Sequence, residues 1–190
     1  MEREFIRFVE QPTADSYLEA RDAMLQIEPA TLTAGDLLEL GRLLAAGQHD
    51  KLLSRTESLP ASAALSPRVH YFAAEAATAV GDLERAELER FLFVVCLQGI
   101  LATGDGTQQR PYAVCHLSDE NDVLEALEKT PAGQTLAQLE DAVCDVIDCH
   151  DDSQVWFDVT AFCGMPERNR RLRTRRVSRS RPREVSRTPR

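Results

Sequence analysis

Residues 91–106, Phe-Leu-Phe-Val-Val-Cys-Leu-Gln-Gly-Ile-Leu-Ala-Thr-Gly-Asp-Gly, are the most apolar run of this 190-residue chain and stop at a Gly-Asp-Gly turn. The uninterrupted apolar part is about half of the ~20 residues that a bilayer-spanning helix needs, so it reads as a buried core helix. Before it the pattern is that of amphipathic helices, and beyond it that of short strands. The run is therefore the seam between two halves of one domain. A hydrophobic content of 43% suffices for a packed core in both.

On the N-terminal side, Phe5, Ile6, Phe8 and Val9 begin an apolar patch that Pro12 interrupts. Thr13 is placed to cap a helix running to about Glu28, with Ala14, Tyr17, Leu18, Met24 and Leu25 on one face. Thr33 and Asp36 make a capping-box start for a helix bearing Leu37, Leu38, Leu40, Leu43 and Leu44, with Gly47 at its end. Asp50 is expected to cap a short helix with Leu52, Leu53 and Leu59. Ser66-Pro67 opens another, in which Val69, Phe72, Ala73, Ala76, Ala77 and Val80 keep helical spacing. Gly81 ends it and Asp82 caps the helix that contains the apolar run. Gly47 and Gly81 stand 34 residues apart, and the same offset carries Ala45 onto Ala79 and Leu38 onto Phe72. A 34-residue helix–turn–helix period is that of tetratricopeptide repeats, whose paired helices stack to share a core.

After Gly106, residues 112–117 alternate as a strand, and Ser118 is placed to cap a short acidic helix with Val123, Leu124 and Leu127. Thr130-Pro-Ala-Gly reads as a loop, and residues 142–149 and 155–162 as a hairpin about His150-Asp-Asp-Ser. The expected fold is α+β. Tetratricopeptide-like helical hairpins (1–104) pack on a small three-stranded β-α-β-β module (105–165), followed by a disordered basic tail (166–190).

The landmarks Ala102-Thr-Gly-Asp-Gly, Pro111-Tyr-Ala-Val, Leu117-Ser-Asp-Glu-Asn-Asp-Val-Leu and Val155-Trp-Phe-Asp-Val-Thr resemble those of a bacterial domain family of unknown function. The resemblance covers roughly residues 65–162. It implies a fold in which tetratricopeptide-like helices join a small β module through the Gly-Asp-Gly turn, and it implies no activity. The arginine tail has no counterpart in it.

Charge divides the chain. Its net charge of −9 combines a body of −18 with a tail of +9, where eleven arginines from Pro166 onward face only Glu167 and Glu184. Arg170, Arg171, Arg173, Arg175, Arg176, Arg179, Arg181 and Arg183 are the candidate nucleic-acid contacts, because such arms bind phosphate backbones through counterion release. Phosphorylation at Ser178, Ser180 or Ser186 would weaken them. No aromatic residue follows Phe162, so base stacking is not offered.

The motifs for chemistry are weak. Gly104-Asp105-Gly106 lacks the Lys-Ser/Thr of a phosphate loop and the alternating acids of a calcium loop, and reads as a helix end and turn in which Gly104 takes positive φ. Five cysteines (Cys96, Cys115, Cys144, Cys149, Cys163) have no framework spacing and suit reduced thiols in a cytoplasmic protein. Cys144 and Cys149 differ by an odd number along a strand, which puts them on opposite faces and argues against a shared zinc. Cys115 and His116 point apart if they sit on a strand. Asp119, Glu120 and Asp122 read as a solvated helix N-terminus. The expected function is a non-enzymatic protein-interaction module with no cofactor, no metal and no membrane association. The alternatives are RNA or other nucleic-acid binding through the tail, and a metal or thiol hydrolase hidden in the β module.

Overall fold

In the computed structural model, which describes residues 2–27 and 32–161, the chain is α+β. Its elements in order are α1 (Glu2–Glu10), α2 (Ala14–Ile27), α3 (Ala34–Ala45), α4 (His49–Glu57), a 3-10 helix (Ala61–Leu65), α5 (Pro67–Val80) and α6 (Leu83–Ala102). There follow β1 (Tyr112–Ala113), α7 (Asp119–Ala126), β2 (Pro131–Gln138), β3 (Val143–Cys149) and β4 (Gln154–Asp158). The arginine segment expected to be disordered lies outside the described residues.

The helical half follows its local signals closely. Thr33 and Asp36 form the reciprocal capping box, with Asp36 N donating to Thr33 Oγ1 at 3.2 Å and Thr33 N to Asp36 Oδ2 at 2.9 Å. Asp82 accepts from Arg85 N at 3.1 Å. The turns of the α3–α4 and α5–α6 hairpins are the same Schellman motif. Gly47 N donates to Leu44 O and Gln48 N to Leu43 O; 34 residues later Gly81 N donates to Thr78 O and Asp82 N to Ala77 O. Both glycines have positive φ (66° and 82°), where a side chain would be strained. Two of the expected caps differ. Asp50 lies inside α4, whose N-cap is Gln48 without a side-chain bond, and Ser66 precedes Pro67 without a capping bond of its own.

The sheet has four strands, in the order β1-β4-β3-β2, rather than three. The additional strand, β2, covers the stretch expected to be a loop. Its residues are almost all exposed, and Pro131 and Gly133 suppress a strand signal, but Pro131 sits at the first position and Gly133 beside a bulge, the two places a ladder tolerates them. β2 and β4 both pair antiparallel with β3, and β1 runs parallel to β4. β1 is only two residues long, so residues 114–117 are not the strand their alternation suggests.

Two apolar cores result. One lies within the hairpin array, where Leu40, Leu52, Leu53, Val69, Ala73, Ala76, Ala77 and Ala86 meet. The other spans the sequence seam: Phe8 and Tyr17 from α1 and α2, Val95, Cys96 and Ile100 from α6, and Ile147, Val155 and Phe157 from the sheet. The apolar run is thus buried in its C-terminal part, as expected, whereas Phe91 and Val94 are about half exposed. Gly99 is where α6 receives the N-terminal helices, since a Cβ there would fall 2.6 Å from the Phe8 ring and 2.9 Å from that of Tyr17. The Gly-Asp-Gly turn works otherwise than expected. Gly106, not Gly104, has positive φ (74°), and Gly104 is required because a Cβ would strike the Arg110 and Pro111 carbonyls. Asp105 Oδ1 holds the turn by accepting from Thr107 N and Oγ1.

Candidate functional site

A groove of about 1210 Å³ lies between the helical array and the β module. One wall is the first helix of each hairpin: Ala34, Leu38, Gly41 and Arg42 from α3, and Arg68 and Phe72 from α5. Ala34 and Arg68, and likewise Leu38 and Phe72, are 34 residues apart, so equivalent turns of the two hairpins face one space. A Cβ at Gly41 would meet the Phe72 ring at 3.7 Å, an ordinary van der Waals contact, so the two helices pack closely along this wall. The facing wall is made of His116, Leu117, Ser118, Glu120 and Leu124 around the start of α7, with residues 131–134 of β2 and Ile147 of β3. Leu38 and Leu117 stand 61% and 53% exposed on opposite lips.

The start of α7 is not a solvated helix end. Asp119, Glu120 and Asp122 are 0%, 6% and 3% exposed, because the preceding residues 114–116 dive into the core and carry the first turn of α7 with them. Ser118 does not cap α7; its backbone is already helical and its side chain makes no capping bond. Asp119 instead folds back to accept the N–H groups of Cys115 (3.2 Å) and His116 (2.8 Å) through Oδ2. Burial pushes its carboxyl up to about 7 against those bonds. Burial, reinforced by the charge and hydrogen bond of Asp145 and by the charge of Asp119, pushes Glu120 up to about 8. Asp122 is pushed up to about 6 by burial, an effect opposed by Arg68 at 2.5 Å. The Arg68 guanidinium also meets Glu125 at 3.1 Å and lies over the Tyr71 ring at 5.6 Å. Asp145, 7% exposed, accepts from Gln134 Nε2 at 3.0 Å, so β2 and β3 both bear on the carboxyl pair.

His116 is 1% exposed, and its Nε2 lies 2.8 Å from the Ser62 carbonyl. A carbonyl only accepts, so Nε2 carries the proton and Nδ1 presents a bare lone pair. Burial lowers the imidazole's pKa, which favours that neutral form. His116 Nδ1 and Glu120 Oε1 are both buried and lack a hydrogen-bond partner, and both residues line the groove. Both atoms are closed off from solvent.

The thiols do not contribute to the groove. Cys96, Cys115, Cys144 and Cys149 are free and buried, and burial pushes the Cys96 and Cys115 thiols up, away from the thiolate that a nucleophile requires. Cys115 and His116 occupy a bend rather than a strand, and the imidazole is held by Ser62. On β3, Cys149 shares a face with Val143 and Ile147, while Cys144 faces the other way. His150 is exposed. Among the described residues no group of three His, Cys, Asp or Glu side chains is arranged to hold a metal ion, and no helix is long and apolar enough to cross a membrane. The candidate nucleic-acid contacts at positions 170–183, and Cys163, lie outside the described residues.

Sequence reasoning missed the buried carboxyls. No local signal marked it, since Leu117, between the buried residues 114–116 and α7, is itself 53% exposed. Compared with known proteins, the chain matches no family model, no curated protein and no solved structure.

Proposed function

We propose that this chain is a protein-interaction module whose tetratricopeptide-like hairpins and β module together clasp a segment of a partner protein. The observation that carries this reading is the groove, in which repeat-equivalent residues Leu38 and Phe72 form one wall and α7 with β2 the other. Stacked repeats bind through surfaces of this kind, with side chains from successive first helices lining one concavity. The groove's volume lies just above the roughly 300–1,000 Å³ of small-ligand pockets and suits several residues of extended or helical peptide. Exposed leucines on its lips supply apolar anchors. The domain division at residues 104 and 165, and the resemblance to a β-capped repeat domain, belong to the same reading.

The test is a peptide-display selection on the immobilised full chain. It is run on wild type and on a form with the eight arginines at 170–183 changed to Gln, so that tail charge neither recruits nor blocks peptides. A consensus that binds both forms and is lost in Leu38→Asp supports the groove as the docking surface. Enrichment that survives Leu38→Asp, or none at all, sinks it. The arginine-rich sequence supports a second reading, nucleic-acid binding, whose affinity would fall steeply between 50 and 200 mM salt, as counterion release requires.

A further inference from the structure

Resting on the reading of the groove as a peptide-docking surface, we infer that the partner segment binds as an added β-strand along the free edge of β2. It carries apolar side chains at alternate positions and one carboxylate that meets Arg42.

The edge is open, and its chemistry calls for a strand. β2 ends the sheet, and among the described residues nothing pairs with its outer side. Val143 shows which way the ladder faces. Its N–H donates to Thr160 Oγ1 and its carbonyl accepts from Val159 N, both on the β4 side. Hydrogen bonding alternates along an antiparallel pair, so Gln138, opposite Val143, turns its main-chain groups away from β3, and Leu136 and Gln134 do the same. Leu139 N, one residue on, donates back to Ala142 O at 2.8 Å, as that alternation requires. Three N–H and three C=O groups therefore stand on the open edge with the period of two that another extended strand matches.

This edge also lacks the usual protection. Sheets blunt their edges with short strands, charges, prolines or bulges. On the opposite side of the sheet β1 is two residues long and buried. β2 has Pro131 and a bulge at its start only. From Gln134 to Gln138 it carries no charge, in a chain 28% charged, and Leu136 is 65% exposed. An exposed leucine among uncharged neighbours suits an apolar cross-strand partner.

The groove selects the side chains. Gln134 lies opposite Ile147, so Gln134, Leu136 and Gln138 share the sheet face of Ile147, which lines the groove together with residues 131–134. A strand added about 4.8 Å beyond β2 turns every second side chain to that face, on the side of the apolar wall that Leu38 and Phe72 form. Charge supplies the remaining specificity. Three charged residues line the groove. Glu120 is 6% exposed and hydrogen-bonded to Asp145, and Arg68 is held by Asp122 and Glu125. Arg42 is exposed and has no ion-pair partner among the described residues. An acid on the incoming strand meets it, while the body's net charge of −18 disfavours a strongly acidic segment. A second copy pairing edge to edge would bring no such acid, because β2 has none.

The experiment extends the peptide-display selection on the full chain to Leu136→Pro, Leu136→Lys and Arg42→Glu, with Trp156 fluorescence certifying the fold of each. Proline at 136 removes an outward N–H and no bond of the β3 ladder. The consensus peptide selected on wild type is then synthesised with each amide N-methylated in turn, and its affinity is measured by calorimetry. The expected consensus is apolar at alternate positions with one Asp or Glu, and it binds both Leu136 variants at least tenfold more weakly. Arg42→Glu selects Lys or Arg in place of the acid. N-methylation weakens binding at least tenfold at every second amide and little at those between. Equal affinity for wild type and the folded Leu136 variants, or N-methyl sensitivity without a period of two, overturns strand addition; the N-methyl series on wild type decides this even if Leu136→Pro does not fold. A consensus without an acid, or one unchanged by Arg42→Glu, overturns the assigned chemistry. Self-association in sedimentation velocity that Leu136→Lys abolishes gives the edge to a second copy and also overturns the proposal. A Leu38-dependent consensus indifferent to the edge leaves the groove reading standing and refutes only the added strand, whereas no consensus at all refutes both.

Discussion

Glu120→Gln is expected to make the protein more stable, and increasingly so as pH rises. In the folded state the carboxyl is pushed up to about 8, first by burial and then by Asp145, from an ordinary value of 4.5. An acid whose folded pKa is raised takes up a proton on folding, so stability is highest below the unfolded value and falls as pH climbs towards the folded one. Between those limits the slope approaches about 1.4 kcal/mol per pH unit, which gives a ceiling of about 3 kcal/mol at pH 7. Glu120 opens on the groove, where water relieves part of the cost, and about 1–3 kcal/mol is the working range. The amide is close in size to the protonated acid, so near pH 4.5 the two proteins should unfold alike. Urea unfolding followed by the fluorescence of the single tryptophan, Trp156, from pH 4.5 to 8.5 measures the difference. In a chain of this size 1 kcal/mol corresponds to roughly 2–4 °C in Tm, so thermal melts serve as a second readout. A variant less stable than wild type at pH 8, or a difference that does not change with pH, would show that Glu120 is not an ionisable group held at a cost.

Arg68→Ala leaves Asp122 buried without its cation and should cost about 2–3 kcal/mol at pH 8, less near pH 5 where Asp122 protonates readily; paired unfolding curves at the two pH values measure this. Gly99→Ala gains up to about 1 kcal/mol of helix propensity but drives a methyl into the Phe8 and Tyr17 rings, both fully buried. Overpacking of this kind costs about 1–3 kcal/mol, so a net fall in Tm is expected, and a rise would show that α1 and α2 yield easily. Glu128, which ends α7 at φ 55°, is the one non-glycine in the three Schellman turns among the described residues; Glu128→Gly should stabilise by about 0.5–1 kcal/mol in the same urea assay. Thr33→Ala removes one half of the α3 capping box and should cost about 1 kcal/mol.

What the sequence determined by itself was set by local backbone chemistry. The 34-residue recurrence of Gly47 and Gly81 gave two hairpins with identical turns, and Thr33, Asp36 and Asp82 gave helix starts, because caps and positive-φ glycines involve bonds within a few residues. The hairpin of β3 and β4 was legible for the same reason, as apolar runs around a polar turn. The tertiary structure decided the remainder. β2 is a strand only because β3 offers it a ladder, and nothing in Pro-Ala-Gly-Gln announces that partner. The exposed faces of Phe91 and Val94 depend on how far the N-terminal helices reach along α6, which Gly99 fixes through contacts across some ninety residues of sequence. Asp119, Glu120 and Asp122 have the composition of a wet helix end, and composition carries no information about depth. Their burial follows from what packs around the first turn of α7, and of the three only Glu120 lines the groove, together with His116, β2 and the helical hairpins. Hydrogen bonds within a turn are written in neighbouring residues, whereas desolvation depends on everything packed around a group, and only the folded chain defines that.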